Sequence, residues 1–342
     1  MRRKYTKYLY IAGVLLVIGN LLGSCVVFLQ VNDTTHFYLV NPMSYIISQK
    51  DTLCYKKRTE NTADIDGTGF FQRPTIFFHS TYCDKILDDS TACAIESAAR
   101  LHPQTHINLL YTSPVELKTW NHLLSILVKL PNFHMTGIHV ESYADGTEFE
   151  KFWKSVVVYN KVVDYKLVAE YIKFLTLHKF GGTVLDKDVI VNKCLDELGE
   201  NWVIREGESM LGTDAIAMSR SDFNRNFTAM VLRSFSQQIM KGNINVSVAI
   251  TNSFKNLCPG TDFTETYTRC HGYDIYDGKQ FHPIDHSERQ QFLQSGSYNK
   301  KAHAHRLWDV EVPGKMIPYK TLYAEIAQTF CPWVFSKLNN EY

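Results

Sequence analysis

His178 to Val191 reads HKFGGTVLDKDVIV, a pair of helix-stopping glycines followed by an apolar strand that runs into Asp186 and Asp188. Side chains of an extended segment alternate faces, so carboxylates two positions apart point the same way and can share one divalent cation. Upstream, Leu167, Val168, Tyr171, Ile172 and Leu175 recur at helical spacing, and Gly181 with Gly182 ends that helix. The carboxylates therefore stand near the carboxyl end of a strand that emerges directly from a helix. Open α/β sheets bind their ligands outside the carboxyl ends of their strands.

The segments before it repeat the pattern. PTIFFHST after Arg73 reads as a buried first strand, and CAIESAARLHP as a helix stopped by Pro103, with Thr91 placed to cap it. HINLLYTS is a second strand, Trp120 to Leu130 a further helix, and MTGIHVES another strand. Strand, helix and strand joined by short connections predict a parallel sheet with right-handed crossovers. Beyond the carboxylates, Trp202 to Met218 reads as short strands around Gly207 and Gly212. Helices are expected over Asn224 to Met240, Val246 to Leu257 and Lys320 to Thr329. The expected fold is one α/β, Rossmann-like domain with a mostly parallel central sheet, spanning residues 73–342.

Residues 1–72 read differently. Leu9 to Val31 is a run of 23 residues in which Asn20 is the only strongly polar side chain before Gln30. At about 1.5 Å per residue it is long enough to cross a hydrocarbon core of roughly 30 Å. Arg2, Arg3, Lys4 and Lys7 precede it and Asp33 follows it, so the positive-inside rule predicts a cytoplasmic tail (1–8), a transmembrane signal anchor (9–31) and a lumenal stem (32–72). A cleaved signal peptide is the alternative, since Gly23, Ser24 and Cys25 are small. After Lys7 the chain carries 32 basic against 35 acidic residues, and no basic cluster suited to nucleic acid.

Outside the span lie seven cysteines, an odd number that suits an oxidising compartment and leaves at least one to stay free or to join a second copy as a homodimer. Cys83 with Cys93 and Cys258 with Cys270 each close a short loop and are the expected disulfides. Asn32, Asn226 and Asn245 head N-x-S/T sequons, in keeping with a lumenal glycoprotein. Carboxylate-only ligation by Asp186 and Asp188 suits Mn2+ or Mg2+ and leaves positions for phosphates, which in a lumenal enzyme points to a nucleoside diphosphate sugar.

CAIESAARLHP, FLTLHKFGG leading into LDKD, AHRLWD and FCP, in that order from Phe77 to Pro332, resemble the lactosylceramide 4-alpha-galactosyltransferase family. The resemblance implies a type II Golgi membrane enzyme with a GT-A-like fold. It implies retaining transfer of galactose or an N-acetylhexosamine from a UDP-sugar to a glycosphingolipid or glycoprotein acceptor, with Mn2+ as cofactor. Asp186 and Asp188 match the family's metal-binding D-x-D, and Gly181 and Gly182 the turn before it. Glu170 and Lys173 fall where the family has the Asp and Arg of an S-D-x-x-R pattern that helps hold the nucleotide. Gly212, Thr213 and Asp214 stand for the family's N-G-A segment, and Asn245, Val246 and Ser247 for N-G-P. The family's His-x-Trp appears as His305-Arg306-Leu307-Trp308, one residue longer.

Asp214 is the candidate catalytic carboxylate, facing an oxocarbenium-like centre or acting as nucleophile, against a simple turn acid after a strand. His305 and Trp308, one helical turn apart, are expected near the diphosphate and a sugar face, against a plain core Trp. His282, Asp285, His286 and Glu288 lack the remaining geometry of a second metal site. A haloacid-type phosphohydrolase needs its nucleophilic Asp near the domain start and a later acidic pair, which this chain lacks. A catalytically silent paralogue that binds a glycan or a partner is the alternative that the altered segments leave open.

Overall fold

The computed structural model describes residues 25–31, 34–40, 74–81, 87–112, 123–158, 165–207, 209–240, 245–310 and 317–340. An antiparallel hairpin of β1 (Cys25–Val31) and β2 (Thr34–Val40) comes first, with Cys25 opposite Val40 and Val31 opposite Thr34. The last seven residues of the expected membrane span are thus extended rather than helical. Val26, Val27 and Phe28, opposite Leu39, Tyr38 and Phe37, are mostly residue types that favour a pleated backbone. Residues 9–24 of that span and most of the stem lie outside the described residues, among which no helix is long and apolar enough to cross a membrane.

The main body opens with β3 (Thr75–Ser80), α1 (Asp89–Leu101), β4 (His106–Tyr111), α2 (Leu124–Leu127) and β5 (Phe133–Gly137). Helices α3 (Val140–Ala144), α4 (Glu148–Val158) and α5 (Tyr165–Phe180) lead into β6 (Gly182–Leu185) and β7 (Val189–Val191). After β8 (Trp202–Glu206) and β9 (Met210–Met218) come α6 (Asp222–Met240) and α7 (Val246–Leu257). The chain continues through β10 (Tyr267–Cys270), β11 (Tyr273–Tyr276) and β12 (Ala304–Arg306) to α8 (Leu322–Phe330) and α9 (Pro332–Asn340).

Eight strands form one sheet in the order β10-β11-β8-β9-β6-β3-β4-β5. The half made of β6, β3, β4 and β5 is parallel, as the strand–helix–strand pattern predicts. The sheet as a whole is mostly parallel, as expected: β11 also runs parallel to β8, and only β9, antiparallel between β6 and β8, and the edge strand β10 are reversed. Alternation along the strands splits the apolar side chains between two layers. Ile76, Phe78, Leu109, Ile204 and Ala217 pack with α1, α8 and α9 on one face. Phe77, Leu110, Val203, Ile216 and Met218 pack with α5, α6 and α7 on the other.

Two local expectations shift. Asp88, not Thr91, caps α1: its carboxylate accepts from the Thr91 N–H at 2.8 Å and the Thr91 hydroxyl at 2.6 Å, the geometry that a short acidic side chain gives at a helix start. The strand read continuously as TVLDKDVIV breaks at Asp186. β6 stays in the main sheet, residues 186–188 turn, with the Val189 N–H on the Asp186 carbonyl at 3.2 Å, and β7 pairs instead with β12.

Cys258 pairs with Cys270 as expected, but Cys93 pairs with Cys331, 238 residues away and 5.0 Å between Cα atoms. Cys93 lies on the buried face of α1, where the C-terminal helices dock, whereas Cys83 is outside the described residues. Beside the bond, the buried Glu96 carboxylate accepts from the N–H groups of Trp333 and Val334 at 3.0 and 2.8 Å, satisfying the free amides at the start of α9. Cys194 is free among the described residues. Replacing both Cys93 and Cys331 by Ser is expected to lower unfolding stability by about 2–4 kcal/mol in urea titrations. An unchanged midpoint would contradict this anchoring of the C-terminus.

Candidate functional site

At the break between β6 and β7, Asp186 and Asp188 lie against the neighbouring strand. The Asp186 N–H donates to the Asp214 carbonyl at 2.7 Å, the last rung between β6 and β9. Asp214 itself lies within β9, buried at 2 % exposure, not in a turn. Gly212 makes room for it, since a Cβ there would stand 2.7 Å from Asp214 Oδ1.

Two cations enter this group of carboxylates. Lys173, one face of α5, pairs with Asp186 Oδ1 and with Glu170 Oε1, the latter at 2.7 Å. Arg306, the last residue of β12, reaches all three aspartates: Nη2 lies 3.1 Å from Asp186 Oδ2, Nε 3.5 Å from Asp188 Oδ1 and Nη1 3.3 Å from Asp214 Oδ2. The β7–β12 pairing places it there, with Arg306 directly opposite Val189. Asp188 Oδ2 accepts from the Asp309 N–H at 3.1 Å, and the Asp188 carbonyl accepts from the Leu307 N–H at 2.9 Å. The Arg306 guanidinium lies 4.3 Å over the Trp308 ring, whose N–H donates to the Ile284 carbonyl at 2.7 Å. His282 completes the floor, with Nε2 3.8 Å from Asp214 Oδ2 and its ring 5.4 Å from that of Trp308.

The balance of charge within this group is uneven. Asp186, Asp188, Asp214 and Glu170 carry four formal negative charges against the two positive charges of Lys173 and Arg306. Burial works against ionising Asp186, but Lys173 and Arg306 overcome it and hold that carboxyl below its usual range. Burial wins at Asp188, which is pushed up to about 6 despite Arg306, with the Asp186 and Asp309 charges adding to the rise. Burial also raises Glu170. Asp214 Oδ1 is buried with no hydrogen-bond partner. A group of carboxylate oxygens short of positive charge, with Asp214 Oδ1 and Oδ2 and Glu170 Oε2 lacking a hydrogen-bond partner, fits a hard divalent cation held by Asp186 and Asp188.

Of the residues singled out from sequence, Asp186, Asp188, Asp214, Glu170, Lys173 and Trp308 are brought together. Gly181 and Gly182 are not: they lie at the amino end of β6, away from the carboxylates. With φ of +66° and +91°, they serve the backbone, and a Cβ at either would come within 2.7 Å of neighbouring main chain. His305 is a correction. It is 1 % exposed with its ring edge-on to Tyr298 at 5.8 Å, and neither ring nitrogen has a hydrogen-bond partner. In the strand β12 neighbouring side chains take opposite faces, so Arg306 faces the carboxylates and His305 the core. A period-two reading of AHRLW would have found Arg306. His282 lies in a segment without metal spacing, yet its ring turns to Asp214 while His286 lies edge-on to Trp308 at 5.6 Å. Asn245 caps α7 by accepting from the Val248 N–H, and Ser247 donates to Glu206 at 2.6 Å.

Comparison with known proteins finds matches to both halves of the chain. The family model for the glycosyltransferase sugar-binding region containing a DXD motif matches residues 88–204, and that for the alpha 1,4-glycosyltransferase conserved region matches residues 220–338. Lactosylceramide 4-alpha-galactosyltransferase of Rattus norvegicus is 23% identical over 254 residues, covering 70% of this chain and 69% of its own length. The Homo sapiens protein is 22% identical over 254 residues, 70% of each. Among solved structures, PaToxG glycosyltransferase superposes with a TM-score of 0.43 at 16% identity, over 64% of this chain and 81% of its own.

Burial holds His305 neutral, its pKa lowered to about 4. The unfolded chain takes up that proton near about pH 6.5 and the folded one does not, so stability is complete above that pH and falls as pH drops towards 4. Between about pH 7 and pH 5, His305→Phe is therefore expected to lose about 2 kcal/mol less than the parent chain in denaturant titrations. Equal losses would place His305 in water.

Proposed function

We propose a retaining hexosyl or N-acetylhexosaminyl transfer for this chain, which is a divergent member of the lactosylceramide 4-alpha-galactosyltransferase family and a hexosyltransferase. The donor is a UDP-sugar carrying galactose, N-acetylgalactosamine or N-acetylglucosamine. The acceptor is a glycosphingolipid or glycoprotein, joined in α-1,4 linkage. The observation that carries this reading is the convergence of Asp186, Asp188 and Asp214 with Lys173 and Arg306 on one centre at the carboxyl end of β6.

Asp186 and Asp188 would hold Mn2+ or Mg2+, which when bound supplies a Lewis acid to the departing diphosphate. Lys173 keeps Asp186 ionised and in place through a contact that burial strengthens. When the bond from the anomeric carbon to the diphosphate oxygen breaks, its electron pair stays on the diphosphate and positive charge develops on the sugar. The Asp214 carboxylate, with Oδ1 unpartnered, would be the fixed negative charge that meets it, with Arg306 and His282 beside its Oδ2. The acceptor hydroxyl then bonds to the anomeric carbon and gives its proton to the released diphosphate. Trp308 backs the guanidinium.

The GT-A-like domain would work in the Golgi lumen, held near its lipid acceptors by an N-terminal anchor in the apolar run that begins at Leu9. The lumenal sequons and the disulfides Cys93–Cys331 and Cys258–Cys270 suit that compartment.

A panel of UDP-sugars offered to the full chain with Mn2+ and glycosphingolipid acceptors is expected to give one α-linked product, assigned by NMR. Asp188→Ala is expected to lower kcat/KM by at least about a thousandfold while the thermal midpoint stays close to that of the parent. A product with inverted configuration would remove the retaining mechanism, and near-parental turnover in Asp188→Ala would remove the metal role.

A further inference from the structure

Arg306 occupies the place that a cation shared by Asp186 and Asp188 needs. Its guanidinium holds Asp186 Oδ2 at 3.1 Å and stands 3.5 Å from Asp188 Oδ1, while the other oxygens face Lys173 and the Asp309 N–H. Hard divalent ions sit about 2.0–2.6 Å from carboxylate oxygens, so an ion bridging Asp186 Oδ2 and Asp188 Oδ1 needs the space that the bridging guanidinium fills.

Charge decides which prevails. One guanidinium leaves the three aspartates with two uncompensated charges, and the Glu170–Lys173 pair adds none. A divalent ion added to Arg306 brings the same group to neutrality, so the group is balanced only with both present. Arg306 has somewhere to go: Asp214 Oδ2 lies 3.3 Å from Nη1, and the Trp308 ring offers a flat face 4.3 Å away. Trp308 and Asp309, the second and third residues after it, both adopt left-handed backbone angles, φ +58° and +49°, and turn the chain sharply at the site.

We propose that Arg306 is a displaceable internal cation. A divalent ion and the guanidinium exclude one another on Asp186 and Asp188, and the displaced guanidinium, kept beside Asp214, turns its freed N–H groups to the donor's diphosphate. The second half rests on the nucleotide-sugar reading above. A guanidinium suits a diphosphate because it can give two parallel N–H bonds to one phosphate. The device keeps the buried aspartates from standing bare in the free protein, weakens metal binding there, and couples metal to nucleotide, since each favours the same position of Arg306.

The test uses the full chain and Arg306→Gln, with Mn2+ affinity read by electron paramagnetic resonance without nucleotide and UDP affinity by calorimetry at saturating Mn2+. Arg306→Gln is expected to bind Mn2+ at least about tenfold more tightly and UDP at least about tenfold more weakly. Effects of opposite sign separate this role from a merely structural one, which would weaken both. Unchanged or weaker Mn2+ binding overturns the displacement, and unchanged UDP binding overturns the diphosphate contact. If the parent chain with Mn2+ binds no UDP, the nucleotide-sugar reading and the diphosphate contact both fall, and the Mn2+ measurement alone decides the displacement. Should Arg306→Gln not fold, Arg306→Lys, which can face one carboxylate rather than three, is expected to tighten Mn2+ about threefold, and no change overturns the proposal.

Discussion

The contact of one guanidinium with three buried aspartates is the interaction on which the site depends. Asp186 and Asp188 come from the turn between β6 and β7, Asp214 from the antiparallel neighbour β9, and Arg306 from β12. Without a cation among them, three carboxylates below 17 % side-chain exposure would repel one another in a medium that screens poorly. Much of the fold around them serves to bring that cation in. β7 leaves the main sheet to pair with β12, the Asp188 carbonyl and carboxylate bind the Leu307 and Asp309 amides, and Trp308 is fixed through Ile284.

The site also explains why the sheet is mixed. A parallel strand next to β6 would reach it through a crossover and place its own carboxyl end beside Asp186. The antiparallel β9 instead brings a mid-strand residue, Asp214, to that end and locks it with the Asp186 N–H. The buried carboxylate thus sits on a strand with partners on both sides, which holds its position more rigidly than a loop would. On the face of the sheet that α1 covers, the Cys93–Cys331 bond and Glu96 fasten the C-terminal helices to α1.

Much of this was legible in the sequence because it is local. Two aspartates two residues apart after a helix and a glycine pair mark where the site lies, although they converge through the turn at 186–188 rather than through strand alternation, and the apolar runs of β3 and β4 are buried strands as read. What escaped depends on pairings far apart in the chain. Nearness in sequence pairs Cys93 with Cys83, whereas its partner Cys331 is set by the docking of α9 against α1. His305 was read at helical spacing with Trp308. The strand pairing with β7, 115 residues upstream at Ile190, turns His305 inward and Arg306 outward. His282 sits in a segment without periodicity, and only tertiary contact with Asp214 and Trp308 reveals it. The β1–β2 hairpin shows the opposite difficulty: a run of valines and aromatics satisfies both an apolar helix and a strand pattern.

The central claim is that Asp186 and Asp188, opened by Arg306, form a metal-dependent nucleotide site. Calorimetry of UDP against the parent full chain, once with Mn2+ and once with EDTA, tests it most directly. The account predicts binding with Mn2+ at least about tenfold tighter than with EDTA. Equal affinity in the two conditions would contradict it.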